Sequence, residues 1–206
     1  MHETEEVLGS KDNVDLTDLS RLQVVSNCLK EALRLTPPAA IIGKQTTEEF
    51  VIPHDKDDII NPSLHVRDEE REGVPFLSPS PPFPPPSDYR HAGKSIPAGT
   101  RILVSAFTMH HHPLLWSNAE KFLPDRWAAK TTETSTPFAF VPFSVGSRNC
   151  IGQVFSQMEA RIILARFLRV FDFEIVGDGA EDQFVEMLTL HFRRGLKAMV
   201  KLKSRD

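Results

Sequence analysis

Apolar residues at helical spacing mark the first part of the chain. One stripe at about 100° per residue comprises Leu22, Val25, Leu29 and Leu33. This spacing predicts an amphipathic helix that ends at the Thr-Pro-Pro sequence of residues 36–38, because proline excludes the residue before it from the helical region. We therefore expect the chain to be helical up to about Pro38.

The middle of the chain alternates strand-like runs with proline. The sequences AAIIGK, from Ala39, and RILVSAF, from Arg101, have strand composition, and LLWSNAEKFLPDRW predicts a loop with a short helix. The run VPFLSPSPPFPPPSD, residues 74–88, suits neither a helix nor a paired strand and predicts an extended, flexible linker. We assign it to an atypical proline-rich insertion at residues 48–94. A docking peptide for a proline-binding module is the alternative.

The last part of the chain predicts one helix followed by strands. After Gln153, the sequence VFSQMEARIILARFLRVF is apolar around most of its circumference, so we expect a deeply buried helix. The sequences FEIV, LTLHF and LKAMVKLK indicate terminal strands. The predicted fold class is mainly α with small β-sheets (α+β).

Composition and charge narrow the classes of function. The 206 residues carry a formal net charge of −4 at pH 7, so attraction to nucleic acid is not indicated. Two cysteines, Cys28 and Cys150, are too few for a disulfide framework and suit a reducing compartment. The sequence contains no apolar run long enough to cross a bilayer, and its first residues are unlike a signal peptide.

The sequence PFSVGSRNCIGQ surrounds Cys150 with features that an inert thiol does not need. A thiolate is a soft metal ligand, and a following helix stabilises its charge through backbone N–H groups and the helix dipole. Gly146 permits a turn with positive φ, and Gly152 leaves room for a flat ligand near the backbone. Arg148 suits a carboxylate on that ligand, and Phe143 can shield the sulfur from water. Together these residues predict a ligand-binding cysteine.

Four segments resemble one family. FSVGSRNCIG resembles the haem-binding signature of the cytochrome P-450 superfamily, F-x-x-G-x-R-x-C-x-G, at all five specified positions. EALR, with Glu31 and Arg34, resembles the family's E-x-x-R helix, and FLPDRW resembles the segment whose arginine, here Arg126, completes a Glu–Arg–Arg network. IPAGTRILVSAFTMHHHPLLW resembles the family strand that leads to a histidine, here His110. The resemblance covers nearly all of the chain except about residues 48–94, and it points to the microsomal group that contains cholesterol 24-hydroxylase and fatty-acid hydroxylases.

The residues alone leave the role of Glu31 and Arg34 open. At i,i+3 on a helix they are neighbours, and opposite the apolar stripe a solvated ion pair would contribute about 0.2–0.5 kcal/mol. The resemblance implies instead that they face the segment carrying Arg126 and brace the haem-binding loop. These three residues would then be structural scaffold, and no catalytic residue is assigned in this chain.

The resemblance also implies the cofactor contacts. Cys150 would be the axial ligand of the iron of haem b, and Arg148 would pair with a haem propionate. Lys44 lies where many relatives carry an arginine with that task, although lysine lacks the forked geometry of a guanidinium. His110 would contact a propionate or join the network. A transition-metal site at the three consecutive histidines from His110 is not expected, because neighbours on a strand point to opposite faces.

The implied function is that of a haem-thiolate monooxygenase. Such an enzyme inserts one oxygen atom from O2 into a C–H bond of an apolar substrate, here a sterol or lipid, with electrons from NADPH through a separate reductase. The full-length parent would lie on the cytoplasmic face of the endoplasmic reticulum membrane, attached through an amino-terminal anchor that this chain lacks. We further expect the chain to be a carboxyl-terminal portion of the family fold, limited to the proximal side of the haem and inactive alone.

Two other classes of function remain open. The chain can be a non-catalytic remnant of a haem-binding fold that acts as a partner-binding scaffold. It can also be a small metal-binding protein that uses Cys28, Cys150 and histidines, although the sequence holds no C-x-x-C pair.

Overall fold

The computed structural model describes residues 2–9, 11, 13–52, 94–128, 136, 138–176, 184–186, 189–192, 195 and 197–203. The helices are α1 (His2–Leu8), α2 (Leu16–Arg21), α3 (Gln23–Leu35), α4 (Ala106–His110), a 3₁₀ helix (Pro124–Trp127) and α5 (Gln153–Val170). The strands are β1 (Ile41–Gln45), β2 (Phe50–Val51), β3 (Ser95–Ile96), β4 (Arg101–Ser105), β5 (Phe171–Ile175), β6 (Phe184–Glu186), β7 (Leu190–Phe192) and β8 (Ala198–Leu202). Helices with two-stranded sheets are the architecture that the sequence predicts.

The ends of α3 follow from local chemistry. At its start, the Glu3 carboxylate accepts hydrogen bonds from the backbone N–H groups of Val24 (2.7 Å) and Val25 (3.0 Å). A carboxylate suits this position because the first N–H groups of a helix have no partner within it. The helix ends at Leu35, just before the Thr-Pro-Pro sequence of residues 36–38, as predicted.

A hydrophobic core joins α1, α2, α3 and α5. Its buried members are Val7, Leu8, Leu19, Leu22, Val25 and Ala165. Met158, Ile162 and Leu164 of α5 pack against this cluster while remaining partly buried. One side of α5 therefore contributes to the core, and α1 lies against the same helix.

The prediction that α5 is buried on all sides is wrong for this structure. Only Ala165 of the helix is buried, whereas Val154 and Phe155 are each 70% exposed and Ile163 is 60% exposed. The reason is that α1, α2 and α3 cover one side of the helix only. Val154 and Phe155 in the first turn, and Ile163 farther along, are the exposed apolar residues of α5 that the structure describes.

The described residues fall into two units, the first formed by residues 1–42 and 105–206 and the second by residues 43–104. In the first unit, β5 and β8 pair antiparallel from Phe171↔Leu202 to Ile175↔Ala198, and β6 pairs antiparallel with β7. These are the terminal strands that the sequence predicts. No helix among the described residues is both long enough and apolar enough to span a bilayer.

The second unit contains an antiparallel ladder between β2 and β3. Its pairs are Phe50↔Ile96 and Val51↔Ser95, and the Ile52 N–H extends it by donating to the Lys94 carbonyl oxygen at 3.0 Å. Strand β1 pairs with β4. The proline run of residues 74–88 lies outside the described residues, so the flexible insertion at 48–94 stays a prediction.

Strand β4 is shorter than its composition suggests. It ends at Ser105, whose hydroxyl accepts a hydrogen bond from the Thr108 N–H at 3.1 Å and so caps α4. His110 is consequently the last residue of a helix rather than part of a strand. The alternation argument applied above to the consecutive histidines therefore rests on the wrong element.

Candidate functional site

The loop that carries Cys150, residues 142–152, is closed by its own backbone. The Cys150 N–H donates to the Phe143 carbonyl oxygen at 2.9 Å, and the Asn149 N–H donates to the Gly146 carbonyl oxygen at 3.2 Å. The Cys150 carbonyl oxygen then accepts from the Gln153 N–H, the first residue of α5, at 3.3 Å. Cys150 is an exposed free thiol. This "Cys150 loop" thus presents the sulfur at the surface, immediately before a helix.

Both glycines of the signature have a physical role in this loop. Gly146 has a φ of +84°, the positive value that the sequence predicts. Gly152 has an ordinary φ of −82°, but a Cβ there would lie 3.8 Å from the Cys150 sulfur. Ser144 also has a positive φ, +64°, and nothing in its residue type signals this.

Apolar residues next to Cys150 in the sequence are exposed. Ile151 is fully exposed, and Val145, Val154 and Phe155 are exposed beside it in sequence. Phe143 is half-buried and lines a cavity of about 280 Å³ with Gly146, Gln153 and Gln157.

A second group of side chains, the "Glu31 cluster", consists of Glu31, Arg34, Arg126 and Trp127. The Glu31 carboxylate accepts from Arg34 at 3.0 Å (Nε) and 2.9 Å (Nη2), from Arg126 Nε at 3.1 Å and from Trp127 Nε1 at 2.9 Å. The Leu123 N–H adds a donor at 3.0 Å. Glu31 and Arg34 are fully buried. They therefore do not form the solvated ion pair that i,i+3 spacing alone would suggest.

Burial alone would raise the pKa of Glu31. Hydrogen bonds from Arg34, Leu123 and Trp127 outweigh that effect and hold the pKa of the carboxyl below its usual range. The guanidinium groups of Arg34 and Arg126 lie 5.4 Å and 5.8 Å from the centre of the Trp116 ring. In the Glu31 cluster the buried carboxylate is paired with two guanidinium groups, and the Trp116 ring lies beside both of them.

Sequence reasoning missed Trp127 as a member of this cluster. Its indole N–H reaches a carboxylate 96 positions earlier in the chain. The available signal is its place directly after Arg126, at the end of the same 3₁₀ helix.

Arg34 connects the Glu31 cluster to α4 and the segment after it. Its Nη1 donates to the carbonyl oxygens of His110 and Ala119, each at 2.7 Å, and its Nη2 donates to that of Lys121 at 3.1 Å. His110 is fully buried, and its ring Nε2 lies 2.9 Å from the Val141 N–H. Burial lowers the pKa of His110 to about 4, so the ring is neutral at pH 7.

The structure thus groups the candidate residues in three places. Glu31, Arg34 and Arg126 meet in one cluster, and His110 adjoins it. The residues of the Cys150 loop that the sequence singled out are Phe143, Gly146, Arg148, Cys150 and Gly152, with Arg148 exposed. Lys44 is exposed on β1 in the second unit. No group of three or more histidine, cysteine, aspartate or glutamate residues within the described ranges is placed to hold a metal ion.

Comparisons with known proteins give consistent matches. A family model described as "Cytochrome P450" matches residues 1–70 and 85–197, leaving residues 71–84 of the predicted insertion unmatched. "Cytochrome P450 4F1" of Rattus norvegicus is 30% identical over 196 residues, which are 94% of this chain and 30% of the relative. "Leukotriene-B4 omega-hydroxylase 3" of Mus musculus is 29% identical with the same coverage. The chain therefore spans about 30% of the length of these curated relatives.

A solved structure gives the corresponding likeness in fold. "Retinoic acid bound cyanobacterial CYP120A1" superposes with a TM-score of 0.70 at 20% sequence identity. The likeness covers 98% of this chain and 37% of that one. The mainly α architecture with small sheets is therefore part of a larger known fold.

Proposed function

Because this chain belongs to the cytochrome P-450 family, we propose that it is the haem-binding, carboxyl-terminal portion of a haem-thiolate monooxygenase. The observation that carries the proposal is the exposed Cys150 thiol at the start of α5, in a loop shaped by Gly146 and Gly152. The proposed reaction of the whole enzyme inserts one oxygen atom from O2 into a C–H bond of an apolar substrate.

The residues around Cys150 fit an iron porphyrin. A thiolate is a suitable axial ligand for haem iron. The exposed apolar groups of Ile151, Val154 and Phe155 suit a flat hydrophobic ring. Gly152 keeps the backbone next to the sulfur free of a side chain.

The charged residues suit the acidic arms of the same group. Arg148, two residues before Cys150, would pair with one propionate, because a guanidinium binds carboxylates with two parallel hydrogen bonds. Lys44 would supply a second positive charge as a single-point donor.

When bound, haem would supply the oxidation chemistry, with the second oxygen atom of O2 leaving as water. The chain's own residues have simpler tasks. Cys150 would ligate the iron, Arg148 would orient the porphyrin through a propionate, and Phe143 would shield the sulfur from water. The Glu31 cluster holds the scaffold on which the loop is built. Electrons would come from NADPH through a separate reductase.

The substrate class follows from the relatives rather than from residues of this chain. One relative is a leukotriene-B4 omega-hydroxylase by name, and the others are 4F members of the family. We therefore propose a lipid substrate, with the fatty-acid type favoured over the sterol type. The resemblance to the cholesterol 24-hydroxylase group stays a prediction.

The exposed side of α5 supports the further proposal that this chain alone does not turn over substrate. Beyond the residues assigned to the haem ring, Ile163 of this helix is 60% exposed, and the remainder of the family fold would cover it. The whole enzyme would reside at the endoplasmic reticulum membrane through a segment outside this chain.

The test is the spectrum of the reduced, carbon-monoxide-bound protein. The chain is joined behind the amino-terminal part of a 4F relative and loaded with haem. We expect the strongly red-shifted Soret band of a thiolate-ligated haem, its loss in Cys150→Ser, and its retention in Cys28→Ser. A band that persists in Cys150→Ser overturns the proposal. A fusion that folds but takes up no haem supports the partner-binding scaffold instead.

A further inference from the structure

The imidazole ring of His110 holds a backbone group of the segment that leads into the Cys150 loop. Nε2 lies 2.9 Å from the Val141 nitrogen, and both residues are buried. A backbone N–H is always a donor, so Nε2 must be the acceptor and carries no hydrogen. Without this ring the Val141 N–H would lose its partner in a buried position, which native structures avoid.

The same residue is fixed from its other side by the Glu31 cluster. Arg34 Nη1 donates to the His110 carbonyl oxygen at 2.7 Å, and Arg34 is itself bound to the Glu31 carboxylate. Two residues after Val141, the Phe143 carbonyl oxygen accepts from the Cys150 N–H at 2.9 Å. His110 therefore lies between the buried ion cluster and the backbone that closes the Cys150 loop.

The second ring nitrogen of His110, Nδ1, indicates which hydrogen bond of the ring fixes the backbone. Nδ1 is buried and makes no hydrogen bond within the described residues. In a neutral ring whose Nε2 accepts, Nδ1 carries the hydrogen. The nearby backbone carbonyl groups of Leu33 and Arg34 suit such a donor, although neither forms a hydrogen bond of ordinary geometry with it. The ring's hydrogen bond of ordinary geometry is therefore the one at Nε2. The Phe140 ring, centred 5.3 Å from the imidazole, supports the ring from the same segment.

We propose that His110 is a positioning residue whose neutral Nε2 sets the backbone at Val141 and thereby the placement of the Cys150 loop. Its functional meaning rests on the proposed haem site, but the contact itself belongs to this chain. Complete burial of the ring favours this role over a direct contact with a haem propionate. A pKa of about 4 for His110, caused by burial, keeps Nε2 available as an acceptor at pH 7.

The first test determines the tautomer in the haem-free 206-residue chain. Long-range ¹H–¹⁵N spectra of ¹⁵N-histidine-labelled protein at pH 7 separate the two neutral forms, and the His110 signals are assigned by their absence in His110→Gln. We expect the form with hydrogen on Nδ1. The form with hydrogen on Nε2 cannot accept from Val141 and overturns the proposal.

The second test compares amide hydrogen exchange in two variants. His110→Gln replaces Nε2 with a side-chain amide oxygen that can accept, and His110→Leu keeps bulk without an acceptor. We expect exchange at Val141 and Cys150 to be about tenfold faster in His110→Leu and to stay within about twofold of the parent chain in His110→Gln. Leu19→Ala, in the core of α1, α2, α3 and α5, is the control for lower global stability.

The exchange rates of the two variants are compared at equal global stability, which is adjusted with urea. Faster exchange confined to the loop in His110→Leu supports the proposal, whereas equal exchange in His110→Leu and Leu19→Ala overturns it. If His110→Leu does not fold, the tautomer experiment alone decides for or against the proposal. Neither test uses haem, so a failure here is distinct from a failure of the Cys150→Ser spectrum.

Discussion

Replacing Glu31 with glutamine tests whether the Glu31 cluster braces the fold. The carboxylate accepts from two arginines, an indole N–H and a backbone N–H, and it is fully buried. Glu31→Gln removes the charge and leaves two guanidinium groups without their anion. Breaking a buried ion pair from one side lowers the free energy of unfolding by about 3–5 kcal/mol. A domain's whole stability is about 5–15 kcal/mol.

The assay is urea unfolding of the haem-free chain, followed by tryptophan fluorescence and circular dichroism. At an m-value of about 2 kcal/mol per M, a loss of about 4 kcal/mol lowers the midpoint by about 2 M. Glu159→Gln is the matched control, since Glu159 is an exposed residue of α5. That change removes less than about 1 kcal/mol. Equal, small losses in both variants would refute the reasoning and restore the solvated ion pair.

Three further predictions follow from the same structure. Gly146→Ala places a Cβ in open space at a φ of +84°, so backbone strain alone lowers the free energy of unfolding by about 1–2 kcal/mol, as measured by urea unfolding. Gly152→Ala, at a φ of −82°, leaves haem-free stability unchanged in the same assay but weakens haem binding, as measured by haem titration. Trp127→Phe removes one donor to the Glu31 carboxylate and lowers the free energy of unfolding by about 1.5–3 kcal/mol in the same urea assay. His110 has a folded-state pKa of about 4, below its ordinary 6.5, so the unfolded chain binds more protons between these pH values. The contribution of His110 to stability is full above pH 6.5 and falls by up to about 3 kcal/mol towards pH 4. His110→Gln therefore reduces the slope of pH-dependent unfolding, while burial that lowers the pKa of His112 leaves a smaller slope of the same sign.

Local features could be predicted from the sequence where all the residues that determine them lie in one short segment. The spacing around Cys150 indicated a presented thiol, and the structure shows that thiol exposed in a loop closed by backbone hydrogen bonds. The end of α3 followed from proline alone. In both cases the deciding atoms lie within about ten residues of one another.

Interactions between distant segments were not readable in this way. The indole N–H of Trp127 and the ring of His110 acquire their partners only after folding brings separate elements together. The prediction that α5 is deeply buried was wrong for a different reason. Its apolar circumference predicts deep burial, but among the described residues only Ala165 of this helix is buried.

The ladder between β2 and β3 holds together the two ends of the segment that connects these strands. Residues 53–93 leave and return at one paired site, because Ile52 and Lys94 are hydrogen-bonded to each other. The entropy of closing a flexible connection grows slowly, by about 0.6 kcal/mol for each doubling of its length. A change in the number of residues between these two anchor points therefore alters the entropy of closing the ladder only slightly. The ladder itself thus sets little limit on the length of chain between β2 and β3.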